Sequence, residues 1–159
     1  MNKYVAFLVV FFSLGFAVNA QKNGLVANAN SPYSKLQSVD MHDVKWTNGF
    51  WKEQFDVEVQ NTLPYMWNLY HNDSITHAYK NFEIAAGLMK GKFSGPSFHD
   101  GDFYKIFEAM AATYAITKDK KLDAEMDKAI ALFAKVQRKD GYIHTPVLIE
   151  ERWGTLGSD

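Results

Sequence analysis

The stretch FHDGDFYKIFEAMAATYAITKDKKLDAEMDKAIALFAKV, residues 98–136, carries the two clearest amphipathic segments of the chain. In both segments large apolar residues recur at intervals of three and four, as they do along one face of an α-helix. The residues between the segments, TKDKK at 117–121, leave room only for a tight turn. We therefore predict an antiparallel helical hairpin. Its apolar positions are Phe103, Ile106, Phe107, Met110 and Tyr114 in the first helix, and Leu122, Met126, Ala129, Ile130, Phe133 and Val136 in the second.

The first of these helices opens on two aspartates, Asp100 and Asp102, that flank a glycine. Asp100 is suited to the N-cap position, where its carboxylate would accept from backbone N–H groups at the helix start. Asp102 falls in the first turn, where the helix dipole favours negative charge. A substrate-binding role for the same pair also remains open at this level.

A single hairpin cannot bury all the apolar surface that it carries. Burying roughly five large apolar side chains per helix stabilises the fold by about 1.5 to 3 kcal/mol each. This gain offsets the entropy lost on ordering the chain only if further helices cover the opposite faces. The sequence therefore predicts an all-α fold in which the hairpin is one layer among several.

Shorter patterns precede the hairpin. VDMHDVKW, residues 39–46, alternates well enough for a short strand, and TNGFW then leads into a helix. Pro64 should kink or break that helix at Leu63, because the residue before a proline is pushed away from helical geometry. A further helix over YKNFEIAAGLMKG, residues 79–91, is expected to end at Gly91.

Glycine and proline signals also follow the hairpin. Gly141 is predicted to end the second helix in the left-handed cap position, with Asp140 in the last helical turn. The residues YIHTPVLIE at 142–150 are then expected to be extended.

The first 20 residues differ in character from the rest. Lys3 precedes the apolar run YVAFLVVFFSLGFA, and VNA at 18–20 places small residues at the −3 and −1 positions of a cleavage site. The run is shorter than the roughly 20 residues that a membrane-spanning helix needs. We therefore predict a signal peptide over 1–20, a polar lead-in over 21–38 and a folded domain over 39–159. The expected location is secreted or periplasmic, with no membrane contact after cleavage.

The composition narrows the classes of partner. Acidic and basic residues nearly balance, 18 against 17, and the lysines are scattered among acids, so no basic patch indicates nucleic acid. The chain contains no cysteine, which excludes lipidation, disulfides and thiolate metal ligands within it. A hydrophobic content of 47% indicates a globular rather than a disordered chain.

Three motifs occur in series along the chain. They are TNGFWKE at 47–53, FHDGDFYKIFEAMAATYA at 98–115 and QRKDGYIHT at 137–145. In this order and spacing they resemble the N-terminal region of glycoside hydrolase family 127, the β-L-arabinofuranosidase-like enzymes, over roughly residues 39–153. The resemblance implies that the hairpin is an early layer of an (α/α)6 toroid, the six-hairpin glycosidase fold, and that this chain holds the N-terminal portion of the catalytic domain.

The resemblance also implies a chemistry, retaining cleavage of terminal arabinofuranose. In that family a cysteine thiolate attacks the anomeric carbon, a glutamate acts as acid and base, and zinc held by cysteines and a glutamate keeps the thiolate poised. Since this chain has no cysteine, and the family's catalytic residues are expected further along the polypeptide, no residue here corresponds to the nucleophile, the acid/base or a zinc ligand. We expect no cofactor in this chain, zinc in the complete enzyme, and no hydrolysis by this chain alone.

Candidates for substrate binding also come from the resemblance, because the loops before helix N-termini line the mouth of such a toroid. They are Asp100, Asp102, Asp140, Tyr142 and His144, the last of which stands where many family members carry Asn. The two aspartates at one helix start are not by themselves an acid–base couple, since glycosidase carboxylates face each other across a bond at about 5 to 10 Å.

Three tryptophans are further candidates, for stacking on sugar rings. Trp46, Trp51 and Trp67 all precede the hairpin. Aromatic residues at helical spacing more often belong to a core, so the core interpretation is favoured for them.

Together these features predict an exported glycoside hydrolase that removes terminal arabinofuranose-type residues from plant or dietary glycans, with an arabinose-containing carbohydrate as its partner. Two other functions remain open. One is a non-catalytic exported helical module that binds glycan or protein. The other is part of a different (α/α)6 glycosidase or lyase family, which the D-G-Y motif does not exclude.

Overall fold

A computed structural model of the chain describes Val26, Asn28 and residues 30–150, so the predicted signal peptide lies outside the described residues. The described part contains helices and no strand, which confirms the all-α prediction. None of these helices combines the length and the apolar character needed to cross a membrane. The α-helices are α1 Phe50–Val57, α2 Leu63–Tyr70, α3 Ala78–Ala85, α4 His99–Thr117, α5 Lys120–Val136 and α6 Thr145–Glu150.

The predicted hairpin is formed by α4 and α5, which are joined by Lys118 and Asp119. Lys118 is left-handed, with a φ of 56°, and its N–H donates to the carbonyl of Tyr114 at 2.8 Å, which ends α4. Asp119 is the N-cap of α5, because its carboxylate accepts from the backbone N–H of Lys121 at 2.7 Å. The tight turn predicted for this segment is therefore confirmed.

The core is aromatic and centres on Phe103 of α4, which is fully buried. Its ring stacks on Trp67 of α2 with centroids 5.4 Å apart. It also packs against Phe82 of α3 at 5.5 Å and Phe133 of α5 at 5.8 Å. Aromatic pairs at these distances stabilise a core beyond the area that they bury. One side chain thus contacts the three other helices of the core.

Of the kink or break predicted at Leu63, the break is wrong, because the backbone stays helical through Pro64, although a π-helical segment interrupts the α-helix directly before Leu63. A π-helical segment, Glu58–Thr62, joins α1 to α2, and the N–H of Leu63 donates to the carbonyl of Glu58, five residues back. Pro64 then lies in the first turn of α2, directly after this wider segment, and in a regular α-helix its ring would clash with a carbonyl of the preceding turn. The wider turn accommodates the proline, so the chain stays helical from α1 to α2.

The strand predicted over residues 39–46 is also wrong. Met41–Asp43 forms a turn of 3₁₀ helix instead. The carboxylate of Asp40 accepts from the backbone N–H of His42 at 2.8 Å, and this local bond stabilises the turn. A strand would instead need backbone hydrogen bonds to a neighbouring strand.

The helix predicted to reach Gly91 is shorter in the structure, where α3 ends at Ala85. Gly87 is left-handed, with a φ of 71°, and the N–H of Leu88 donates to the carbonyl of Glu83 at 2.9 Å. This is the Schellman arrangement of a helix stop. The apolar pattern continues past the glycine, which is why periodicity alone overestimated the length of this helix.

Gly141 is left-handed as predicted, with a φ of 88°, but it belongs to a turn that follows α5. The helix already ends at Val136, and the N–H of Gly141 donates to the carbonyl of Arg138 at 2.9 Å. Asp140 therefore lies in this turn and not in the last turn of α5. Residues 145–150 form α6 rather than an extended segment, because a carboxylate from α4 accepts the first N–H of that helix.

Candidate functional site

The start of α4 and the start of α6 meet at one buried carboxylate, that of Asp100. Asp100 is the second residue of α4 and is 2% exposed. One carboxylate oxygen accepts the backbone N–H of Thr145 at 2.6 Å and lies 3.2 Å from Nδ1 of His144. The other oxygen accepts the hydroxyl of Thr145 at 2.8 Å. The carboxylate therefore faces three donor groups from one short segment.

Asp100 is not the N-cap of its own helix, contrary to the prediction. Phe98 occupies that position in α4 and makes no side-chain capping bond. The Asp100 carboxylate instead accepts the first N–H of α6, one of the donors that a helix start leaves without an internal partner. The bond joins residues 45 apart in the sequence, so it is a tertiary contact rather than a local cap.

Tyr104 lies one helical turn beyond Asp100. Its hydroxyl donates to the backbone carbonyl of Ile143 at 3.4 Å. Burial, and then the negative charge of Asp100, raises the pKa of the Tyr104 phenol above its ordinary range. The phenol therefore remains protonated and acts as a donor rather than as a base.

His144 and Tyr142 are the partly exposed members of the site. The side chain of His144 is 25% exposed, and its ring meets that of Tyr142 edge to face, with centroids 6.4 Å apart. The guanidinium of Arg138 lies 6.0 Å from the centre of the Tyr142 ring. An imidazole and a phenol side by side at the surface can donate to and accept from a ligand rich in hydroxyls.

The two remaining sequence candidates are placed differently. Asp102 forms an ion pair with Lys105 at 3.0 Å, along α4 itself. Asp140 is exposed in the turn after α5, where its carboxylate accepts the N–H of Tyr142 at 3.1 Å and lies 3.4 Å from the Arg138 guanidinium. Asp140 thus supports the turn that carries the site, whereas Asp102 pairs with a neighbour on its own helix.

Two members of the site, Thr145 and Tyr104, were not identified from the sequence. Thr145 is fully buried and gives both its N–H and its hydroxyl to Asp100. A threonine directly before Pro146 is a pattern typical of helix starts, so a signal for α6 was present. Tyr104 lies within the apolar stripe of α4, where nothing in the sequence separates it from an ordinary core position.

The Asp100 carboxylate is not free to act as a base or a nucleophile, because it already accepts two bonds from Thr145 and contacts Nδ1 of His144. Among the described residues no group of three or more metal-ligating side chains could hold a metal ion, and the chain has no cysteine. The residues present therefore do not fit the zinc site that the family resemblance implies.

The tryptophans divide between the core and the surface. Trp67 is buried against Phe103, which excludes it from stacking on a sugar. Trp46 and Trp51 are exposed, and the ring of Trp46 lies against Phe55 with centroids 5.5 Å apart. The core interpretation is therefore confirmed for Trp67, whereas Trp46 and Trp51 lie outside the core that the described residues form.

A groove lies between α2, α4 and α5. It has a volume of about 250 Å³ and largely apolar walls that include Leu63, Trp67, Met110 and Leu122.

Sequence comparisons relate the chain to a family of known enzymes. The profile of the β-L-arabinofuranosidase catalytic domain of glycoside hydrolase family 127 matches residues 43–157. A non-reducing end β-L-arabinofuranosidase from Bifidobacterium longum subsp. longum is 33% identical, over 68% of this chain and 19% of the relative.

Solved structures agree with the sequence comparisons. A β-L-arabinofuranosidase of the same family from Geobacillus stearothermophilus aligns with a TM-score of 0.65 and 36% identity, over 69% of this chain and 18% of the relative. A second β-arabinofuranosidase of the family aligns with a TM-score of 0.61 and 29% identity, over 69% of this chain and 17% of the relative. The chain thus spans about one fifth of the length of these relatives.

The enzymes of this family are six-hairpin (α/α)6 glycosidases, which confirms the predicted fold class. The matched region contains the α4–α5 hairpin and the whole Asp100 site. On both sequence and structure, the chain belongs to glycoside hydrolase family 127, the β-L-arabinofuranosidase family.

Proposed function

We propose that this chain is part of an exported glycoside hydrolase that releases terminal arabinofuranose-type residues from plant or dietary glycans. The observation that carries the proposal is the family match over residues 43–157, which includes both the hairpin and the Asp100 site. Relatives named as β-L-arabinofuranosidases align with more than two thirds of the chain. An arabinose-containing carbohydrate is accordingly the expected partner.

Within that enzyme we assign to this chain the tasks of scaffold and hydroxyl binding. His144 and Tyr142 present an imidazole and a phenol, both of which hydrogen-bond in either direction depending on protonation. Sugar hydroxyls also donate and accept, so the two kinds of group are complementary. Glycosidic cleavage needs a nucleophile and an acid–base group. Both oxygens of the Asp100 carboxylate are already hydrogen-bonded, so Asp100 supplies neither. Those groups belong to the rest of the catalytic domain.

The apolar surface of the chain supports the same proposal. None of the α1 residues is buried, including the large side chains of Phe50 and Trp51. In a six-hairpin domain, further helices would cover this surface and the groove beside α2. We therefore expect the isolated chain to be of low stability or to aggregate, which size exclusion with circular dichroism measures. A sharp cooperative melt from a clean monomer would favour an independent module instead.

Export is a separate part of the proposal and has its own test. It rests on the charged start, the short apolar run and the small residues before Gln21. The intact mass of the exported protein should correspond to a chain that begins at Gln21. A mature chain that still begins at Met1 would contradict it.

Arabinose release tests the assignment of tasks. The purified chain of 159 residues is incubated with a β-L-arabinofuranoside, with and without zinc, beside a complete family member as a positive control. We expect release only from the complete enzyme, because a chain without cysteine has no thiolate nucleophile. Zinc-dependent hydrolysis by the chain alone would overturn the assignment.

The gene sequence beyond codon 159 separates this proposal from a non-catalytic binding module. A continuing frame that encodes a glutamate and a cluster of cysteines supports the hydrolase. A stop codon at that point favours a module that has kept only the scaffold.

A further inference from the structure

We infer that Asp100 is a positioning residue: it holds the His144 imidazole with Nδ1–H donated inward, which leaves the unprotonated Nε2 directed to solvent as an acceptor for a sugar hydroxyl. The choice of a sugar as ligand rests on the proposed function. The orientation and the tautomer of the ring rest on the contacts of Asp100 alone.

The contacts of Asp100 determine which nitrogen carries the proton. Oδ2, the oxygen nearest His144, also accepts the backbone N–H of Thr145 at 2.6 Å, and a backbone N–H can only donate. Oδ1 faces the Thr145 hydroxyl at 2.8 Å. The carboxylate lies in the first turn of the 19-residue helix α4, near the positive end of the helix dipole. An ionised carboxylate has no proton to give, so the bond at 3.2 Å requires the proton on Nδ1 of His144.

The other nitrogen of the ring is free to meet a ligand. Within the described part of the chain Nε2 of His144 has no hydrogen-bonding partner, and it is not a buried atom. The ring is partly exposed, with the edge of Tyr142 beside it. With Nδ1 engaged, neutral His144 presents a lone pair at Nε2 and no second N–H.

Among the described residues, the charged and titratable neighbours of the ring are few. Asp100 faces it from α4, and Tyr104 on the same helix gives its hydroxyl to the Ile143 carbonyl. Tyr142 faces it from the turn after α5, with Arg138 beyond the Tyr142 ring. Asp100 is the group among these that contacts an imidazole nitrogen, so it controls the tautomer.

A ring held in this way selects for a ligand group that can donate. A sugar hydroxyl donates to Nε2 and can accept at the same time from a second group such as the Tyr142 phenol. A ligand in which that hydroxyl is replaced by fluorine or a methyl ether cannot donate and should bind about three- to tenfold more weakly, the fold-change expected for one net hydrogen bond.

The tautomer is measured on the ¹⁵N-labelled chain by long-range ¹H–¹⁵N correlation, at a pH well above the range in which imidazole titrates. His144→Gln identifies the signal by its loss. We expect a protonated Nδ1 and an unprotonated Nε2 in the wild-type chain, and loss of this preference in Asp100→Asn. Thr145→Val is the matched control, because it removes a bond to the same carboxylate without touching the ring, and it should keep the wild-type pattern. A protonated Nε2 in the wild-type chain would overturn the inference whatever the variants do.

A second measurement needs little protein and tolerates a chain that associates. Carbethoxylation modifies an unprotonated imidazole nitrogen, and peptide mapping by mass spectrometry reports its rate at each histidine at micromolar concentration. His144 should react faster in the wild-type chain and in Thr145→Val than in Asp100→Asn. Equal rates in the two variants would contradict the positioning role, because both variants weaken the Asp100–Thr145 contact but only Asp100→Asn changes the group that contacts the imidazole.

The ligand is tested separately with methyl β-L-arabinofuranoside and its deoxyfluoro analogues. Chemical shifts of His144 that respond to the sugar, and respond less to one fluorinated analogue, support the whole inference. The expected tautomer with no response to any sugar overturns the ligand class, and with it the hydroxyl-binding task, while it supports the positioning role. A sugar response with the wrong tautomer overturns the positioning role and leaves the proposed function in place.

Discussion

Replacing Asp100 with alanine removes the carboxylate that ties the start of α6 to α4. Thr145 is fully buried, so its N–H and its hydroxyl would lose their acceptor in a place that water does not reach. A buried donor without a partner costs about 1 to 3 kcal/mol, and a hydrogen bond to a charged group contributes about 1.5 to 3 kcal/mol. The hydroxyl can rotate toward another acceptor but the backbone N–H cannot. We therefore expect a loss of about 3 kcal/mol in the free energy of unfolding.

Equilibrium unfolding in urea, followed by far-ultraviolet circular dichroism, measures this loss. Sucrose in the buffer stabilises the folded state of the wild-type chain and of the variants alike, so that their free energies of unfolding can be compared even if the chain is of low stability. Asp102→Ala is the matched control, because Asp102 lies in the same helical turn and pairs with Lys105 at the surface. It should cost less than about 1 kcal/mol, the scale of a helix-dipole interaction. Equal losses for the two aspartates would refute the tertiary role of Asp100 and restore the local cap.

Three further predictions concern the core, the backbone and the partly buried phenol of Tyr104. Phe103→Ala should cost about 3 to 5 kcal/mol in urea unfolding, because it empties a fully buried position, whereas Phe98→Ala at an exposed position should cost little. Gly95→Ala should lower the melting temperature, since Gly95 has a φ of +90° and a Cβ there would lie 2.9 Å from Nδ1 of His99. Gly101→Ala should raise the melting temperature, because Gly101 lies within α4 and a Cβ there would meet nothing within 4 Å. Shifts of the same sign in the two variants would contradict this prediction. Burial raises the pKa of Tyr104, so the stability that it contributes is complete below the ordinary phenol pKa of about 10 and is lost as the pH rises toward the folded-state value. Tyr104→Phe should therefore flatten the fall in melting temperature above that pH, and an unchanged slope would argue against it.

The helices of the hairpin could be predicted because their signals are local. Apolar residues three and four apart define one face of α4 and of α5, and Asp119 caps the second helix through the backbone two residues on. The all-α class and the resemblance to glycoside hydrolase family 127 follow from residues near one another in the chain. The π-helical turn that accommodates Pro64 and the early stop at Gly87 were not predicted, because both depend on a choice between competing backbone hydrogen bonds.

The sequence identified the two segments that form the candidate site but not which of their residues contact one another. The D-G-D and D-G-Y motifs identified Asp100, Tyr142 and His144, which the structure brings together. The same motifs also proposed Asp102 and Asp140, whose contacts are an ion pair along one helix and a turn. Nothing in the residue types distinguishes the buried aspartate from the exposed one, since the difference lies in what packs over each.

For the α4–α5 hairpin, the sequence by itself determined that two helices form and which of their faces are apolar, because those properties depend on side chains within a few turns of one another. The tertiary structure alone decided which donors meet the carboxylate of Asp100. A carboxylate at a helix start can cap its own helix at little cost in chain entropy, so local reasoning assigns it that role. Packing of α6 against the core instead brings the backbone nitrogen of Thr145, 45 residues away in the sequence, to 2.6 Å from Oδ2 of Asp100. Once that place is closed to water, the buried N–H has no other acceptor, and the long-range bond replaces the local cap.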